Sequence, residues 1–291
     1  MTKRFEREER KGIRPTRRDY AIVQAVFEAR YLTNRQVCQL LFTPTTFSWC
    51  KQRLRYLYDL GYLRKRVAFP NEPDIYYLGL RGRRYIASTD TGYSAAEIDL
   101  IAGVSGGSAK APVLMMNHEL SLSSLYVNAR LEAQRLGLEM RWKNARMLEL
   151  LRLPMQPDGF IQVSRGEEKQ AAFLEFTSVL PAEAELKAKV LAYEQYLESR
   201  LCRQDLGVDR VAVLWLTTSA SKCERILKAL AKSSYRDWFL VGLFEDAQNF
   251  ITGNIWRWSE AKDSVSWVKG RERVLYDGAG GQAEPGTPRE G

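Results

Sequence analysis

Histidine is nearly absent: among 291 residues only His118 is one. Cysteine is sparse, and Cys38, Cys50, Cys202 and Cys223 are scattered with no CxxC pair. One imidazole and no clustered thiols exclude a structural zinc site. Isolated cysteines of this kind are those of a reduced, cytoplasmic protein. No apolar run is long enough to span a bilayer. Residues 1–18 are charged and lack the apolar core of a secretory signal, so a cytoplasmic location is expected. Residues 103–110 are rich in glycine and serine, but no Gly-Lys-Ser/Thr ending follows and no apolar strand precedes, which excludes a nucleotide phosphate loop.

The sequence does have positive charge, unevenly placed. The net charge is +9, and residues 1–90 hold 19 Lys+Arg against 9 Asp+Glu, leaving 25 against 26 for the rest. All the excess therefore lies in the first third, as in a polyanion-binding module joined to a near-neutral body. A merely soluble basic domain is the alternative.

Residues 1–16 form a basic arm suited to a phosphate backbone or a minor groove, although three glutamates interrupt it and a solvated tail fits equally. Residues 17–30 have helical spacing, with Tyr20, Val23, Val26 and Phe27 on one face. Thr33 and Gln36 make a capping box that opens a second helix burying Val37, Leu40 and Leu41. After Thr43-Pro44-Thr45 a third helix follows, with Phe47, Cys50, Leu54, Leu57 and Tyr58 as its apolar stripe. Its other face carries Thr45, Ser48, Trp49, Gln52 and Tyr56, flanked by Lys51, Arg53 and Arg55. Gly61 ends this helix. Residues 62–68 and 75–78 are expected strands joined by a turn at 70–74, and another helix begins near Leu80.

Three helices and a hairpin make a winged helix-turn-helix, here residues 17–88, whose third helix enters the major groove of double-stranded DNA. Gln52 and Arg55 then read base edges, while Lys51 and Arg53 hold phosphates and Thr45 and Ser48 belong to the same DNA-binding face. The hairpin adds a basic triplet, Arg64, Lys65 and Arg66. A charged solvated face, or a winged helix used for protein contacts, is the competing reading. Residues 89–111, rich in Ser, Gly, Ala and Thr, are expected to be a linker.

The remainder predicts a mixed α/β (α+β) domain over residues 112–270 and a disordered tail over 271–291. A long helix at 115–136 places His118 with Leu122, Leu125 and Ala129, where a packed core histidine is the simplest assignment. Glu119 beside it faces either the acidic site or solvent. Strands are expected at 139–142, 148–154, 160–163, 171–179, 211–216 and 238–244, and helices at 181–200 and 221–231. The late tryptophans, Trp256, Trp258 and Trp267, are expected to cap the core. Within the run Ala171-Ala172-Phe173-Leu174-Glu175-Phe176-Thr177, apolar residues fill both alternating faces, so Glu175 is a carboxylate in a buried strand. Asp158 precedes Gly159 on a hairpin-like segment. If the two strands pair, Asp158 and Glu175 converge at one end of the sheet. Two carboxylates with a lysine make a site for Mg²⁺, which activates water against a phosphodiester.

The pattern from Thr33 to Leu63, then Pro157-Asp158-Gly159, then Phe173-Leu174-Glu175 with Lys189 and Tyr193 downstream, resembles the replication-relaxation family of plasmids and integrative elements. The second half is similar to the PD-(D/E)XK nuclease fold. That resemblance implies a restriction-endonuclease-like domain in which Asp158 and Glu175 bind magnesium. It also implies a lysine two residues after Glu175, where this chain has Thr177, which cannot supply positive charge to a transition state. Lys189 on the following helix is the expected substitute, with Lys187 second. A relaxase of the type that needs paired histidines for its metal is excluded by the single histidine, so an auxiliary role beside a relaxase or other mobilisation protein is expected rather than covalent nicking through tyrosine. Three functions stay open: a DNA-binding protein of a mobile element, a Mg²⁺-dependent endonuclease, and a DNA-bound adaptor or regulator. In the last, Asp158 caps a turn and Glu175 pairs with Lys189 in an inert scaffold.

Overall fold

The computed structural model describes residues 6–8, 12, 14–66, 73–103, 113–258 and 266–267. Helix α1 (Arg17–Ala29) starts at a capping box between Thr16 and Asp19 and buries Ile22, Val23, Val26 and Phe27. Strand β1 (Leu32–Thr33) leads into α2 (Asn34–Leu41), where Thr33 accepts from the Gln36 amide and Gln36 reaches back to the Thr33 amide at 2.8 Å. A 3₁₀ turn at Pro44–Thr46 precedes α3 (Phe47–Asp59), with Cys50, Leu54, Leu57 and Tyr58 buried. Gly61 ends that helix at φ +80°, a conformation glycine adopts without a Cβ penalty.

Strands β2 (Leu63–Arg66) and β3 (Ile75–Leu78) pair antiparallel, and β1 adds to the far side of β3, giving the order β1-β3-β2. Three helices followed by the two strands of a hairpin is the order expected, and β1, between the first two helices, is an addition to it. The expected turn at 70–74 falls mostly outside the described residues, as do most of the basic arm, residues 104–112 and the tail. Helix α4 (Leu80–Ala87) crosses close beneath the hairpin's start. A Cβ at Gly82 would stand 2.3 Å from the Tyr62 carbonyl oxygen.

The expected linker is corrected in part. Residues Ala95–Ile101 form helix α5, opened by a Ser94–Glu97 capping box. Ile98 and Ile101 are 0% and 1% exposed, in one core with α1. Serine and glycine content masked a helix whose cap residue is itself a serine, and whose isoleucines recur at the three-residue spacing of a buried face.

Helix α6 (Val113–Leu136) is followed by β4 (Glu139–Asn144) and a short α7 (Ala145–Glu149). Residues 148–154 were expected as a strand. Instead Asn144 caps α7 by accepting from the Met147 amide at 3.2 Å, and the chain then turns toward the next strand. Strands β5 (Gly159–Arg165) and β6 (Glu168–Thr177) continue the antiparallel meander. Helices α8 (Glu183–Ser199) and α9 (Cys202–Leu206) cross to β7 (Ala212–Thr217), which runs parallel to β6. Helix α10 (Ala220–Leu230) crosses to β8 (Phe239–Leu243), again parallel. The result is a mixed five-stranded sheet, β4-β5-β6-β7-β8, with helices on both faces.

The sheet divides the interior. Leu174 and Phe176 of β6 face one core, which includes α6 and the first half of the chain. Phe173 faces the other, with Leu186, Val190, Tyr193 and Tyr196 of α8 and Ile226 of α10. Trp256 and Trp267 are buried in the first core and Trp258 packs against it. The first core is continuous from α1 to Trp267, so the expected division at 88–112 marks a change of composition rather than a gap in packing. Polar contacts reinforce it. Asn144 donates to the carbonyls of Phe27 and Glu28, Ser123 to that of Tyr31, and Gln36 to Ser124. No helix among the described residues is long and apolar enough to cross a membrane.

Candidate functional site

The antiparallel register of β5 and β6 sets Gly159 opposite Leu174, and the Asp158 amide donates to the Leu174 carbonyl at 3.0 Å. Asp158 therefore lies beside Glu175 at the end of the sheet where β6 turns toward α8. One Asp158 oxygen, Oδ2, accepts from the Phe176 amide at 2.8 Å. Glu175 points to the α8 side, as the alternation of β6 requires, and is 1% exposed. Its Oε2 receives the Lys189 ammonium at 2.5 Å and its Oε1 the Tyr193 hydroxyl at 2.5 Å. Lys189 and Tyr193 stand four residues apart on α8, so both reach one carboxylate from one helix face. Lys187 points elsewhere and pairs with Glu183 at the surface. Thr177 accepts from the Trp215 indole at 2.8 Å, and that indole's ring lies 5.8 Å from the Lys189 ammonium.

Burial dominates the electrostatics. It pushes the Glu175 carboxyl up to about 7, a rise that Lys189 opposes and the charge of Asp158 adds to. Burial alone would lower Lys189, but attraction to Glu175 and Asp158 outweighs it and raises the ammonium above its usual range. The Tyr193 phenol, buried beside Glu175, is raised well above its ordinary value and stays a donor.

His118 joins this cluster from α6, a placement that the sequence did not single out. Its Nε2 lies 3.4 Å from Asp158 Oδ2 and 3.2 Å from the Phe176 carbonyl. Both neighbours are acceptors, so Nε2 carries the proton. The hydrogen bond to Asp158 raises the imidazole above its ordinary value despite burial. Glu119, the next residue, turns to Arg30 at the end of α1. The expected solvated position for Glu119 is thus replaced by an ion pair between the halves.

A Mg²⁺ ion takes about six oxygen ligands in near-octahedral geometry. Both Glu175 oxygens already accept from Lys189 and Tyr193, and Asp158 Oδ2 serves the Phe176 amide and His118. Among the described residues no group of three or more His, Cys, Asp or Glu side chains is placed to hold a metal. The Lys189 ammonium stands where a cation would meet Glu175. As arranged, the expected ligands Asp158 and Glu175 do not fit the ion.

The expected DNA-contacting residues divide in two. Ser48, Lys51 and Gln52 are exposed on α3 and Thr45 on the 3₁₀ turn before it, with Lys51 over the Phe47 ring and Gln52 donating to the Tyr56 hydroxyl. Arg64 is exposed on β2 and Arg66 half-exposed. Arg53 is turned inward, where it grips Asp19 with two nitrogens. Asp19 is 0% exposed and belongs to the α1 capping box. Arg53 is thus a clasp between α1 and α3 rather than a phosphate holder. Arg55 binds Asp59, Glu8 and the Glu6 carbonyl, and the Lys65 side chain, 6% exposed, pairs with Asp74 over the Tyr58 ring. For Arg53 the deciding partner is a buried acid on another helix, of which the local sequence carries no sign, whereas Arg55 pairs with Asp59 four residues along its own helix.

The solved structure of the restriction endonuclease FokI is similar at 10% identity and a TM-score of 0.30, over 80% of this chain and 43% of that one. This chain thus spans less than half of FokI. No curated protein matches. The replication-relaxation family model matches residues 24–211, from within α1 through Asp158 and Glu175 to the residue before β7, and the chain belongs to that family.

Proposed function

We propose that this protein grips duplex DNA through its first half, reads sequence with the N-terminal half of α3, and acts in the replication, relaxation or mobilisation of a mobile genetic element. Its nuclease-like second half serves as an adaptor toward a relaxase or other mobilisation protein. One observation carries the DNA reading. Helix α3 is locked into the core on one side while Ser48, Lys51 and Gln52 stand exposed on the other, with Thr45 exposed in the turn just before it. This helix belongs to the stretch holding all the excess positive charge. Exposed Arg64 extends the basic surface along the hairpin.

Duplex binding should weaken steeply with salt, because neutralised phosphates release counterions. Lys51→Ala should weaken binding to all sequences alike and make the salt slope shallower by about one. Gln52→Ala should instead relax sequence preference, at a cost of about 1–3 kcal/mol. Absence of duplex binding at low salt overturns the proposal.

The convergence of Asp158, Glu175 and Lys189 supports a second reading, metal-dependent cleavage. The engagement of both Glu175 oxygens by Lys189 and Tyr193 weighs against it. Plasmid incubated with Mg²⁺ or Mn²⁺ is expected to stay intact. Cutting by the wild type that Asp158→Ala and Glu175→Ala both abolish would replace the adaptor with an endonuclease.

A further inference from the structure

Trp49, in the first turn of α3, is 64% exposed. The chain's other tryptophans are buried or half-buried. Leaving so large an apolar ring in water is unfavourable unless a partner covers it. Residues 6–8 lie against the C-terminal half of α3, where Arg55 donates to the Glu6 carbonyl at 2.8 Å and the Glu8 amide donates to Asp59 at 3.2 Å. They leave the N-terminal half, and Trp49, uncovered. Around Trp49 the exposed groups of that half are the Ser48 hydroxyl, the Gln52 amide and the Lys51 ammonium, with the Thr45 hydroxyl in the turn just before it. These are hydrogen-bonding and cationic groups suited to base edges and phosphates, with a single apolar surface among them.

We propose that Trp49 is a specificity-determining residue that covers thymine methyl groups in the major groove, so that the DNA this protein selects carries thymine opposite the start of α3. This rests on the DNA-binding reading above. The thymine C5-methyl is the apolar group that a base pair presents in the major groove, and it distinguishes T from C on the same ring position. A hydroxyl or amide gains nothing from it, whereas an indole face does. The excess positive charge of this half favours a nucleic acid over a protein as the occupant.

The test uses the full chain and duplexes that it selects from a randomised pool. Replacing thymine by uracil in those duplexes removes only the methyl. Wild-type affinity should fall about fourfold for each covered methyl, the effect of uncovering one methyl-sized apolar group. Trp49→Ala should bind thymine and uracil duplexes equally, while Trp49→Phe retains part of the difference. Circular dichroism should show the variants folded, since the side chain is exposed. Tryptophan fluorescence should also respond to duplex in the wild type and not in Trp49→Phe. Selective duplex binding that ignores the uracil exchange, or that Trp49→Ala leaves unchanged, overturns the proposal and leaves the DNA reading standing. Stronger quenching by single strands than by duplex overturns it in favour of stacking on unpaired bases. No duplex binding at low salt removes both.

Discussion

Glu175 is held between an ammonium and a phenol, out of water, with a second carboxylate nearby. Its folded-state carboxyl, raised to about 7 from 4.5, binds a proton over a range where the unfolded chain has released it. Its contribution to stability is therefore fully present below the unfolded value of 4.5 and is lost as pH rises through about 7. Urea midpoints of the wild type should fall across that window by an amount worth roughly 3 kcal/mol. Glu175→Gln, neutral throughout, should show a flatter profile. An unchanged slope in the variant would mean that the group is already ionised well below neutrality. The sequence places this carboxylate in a buried strand and names Lys189 as its companion. It does not show that Tyr193 takes the second oxygen or that His118 reaches Asp158, because both depend on where α8 and α6 cross the sheet.

At the scale of elements, caps and apolar spacing carried most of the information. The Thr33–Gln36 box, the α3 stripe and the end at Gly61 follow from local chemistry that acts within a few residues. Helix α5 was hidden by its surroundings, and α7 by an apolar run that suits strand or helix equally. If α5 is an integral part of the core, Ile98→Ala should destabilise the protein by about 2–4 kcal/mol in urea unfolding. Ser94→Ala should cost about 1 kcal/mol through the lost cap. A loss near zero for Ile98→Ala would return the segment to a solvated connection. The clasp between Arg53 and Asp19 is the element-scale contact that composition cannot reveal, since it joins residues 34 positions apart.

For the molecule as a whole, the shared core and the polar contacts of Asn144, Ser123 and Gln36 join the two halves. Hydrogen-exchange protection in α1 and in α6 should therefore disappear at the same urea concentration, as one cooperative unit. Earlier loss in α1 through α4 would show that the first half opens alone. The ion pair of Arg30 with Glu119, next to His118, puts the end of a helix in the first half one residue from the carboxylate cluster.

The amino-acid sequence alone determined the basic first third, the order of the first three helices and the hairpin strands, the mixed sheet and the carboxylate Glu175 within its buried strand. Each of these follows from periodicity, capping and charge, which act over short distances. Tertiary structure alone decided that Arg53 is drawn to buried Asp19 while Lys51 remains on the surface, that both Glu175 oxygens are engaged by Lys189 and Tyr193, and that His118 attends Asp158. Those outcomes depend on how helices cross a sheet and on the high cost of leaving a buried charge without a partner.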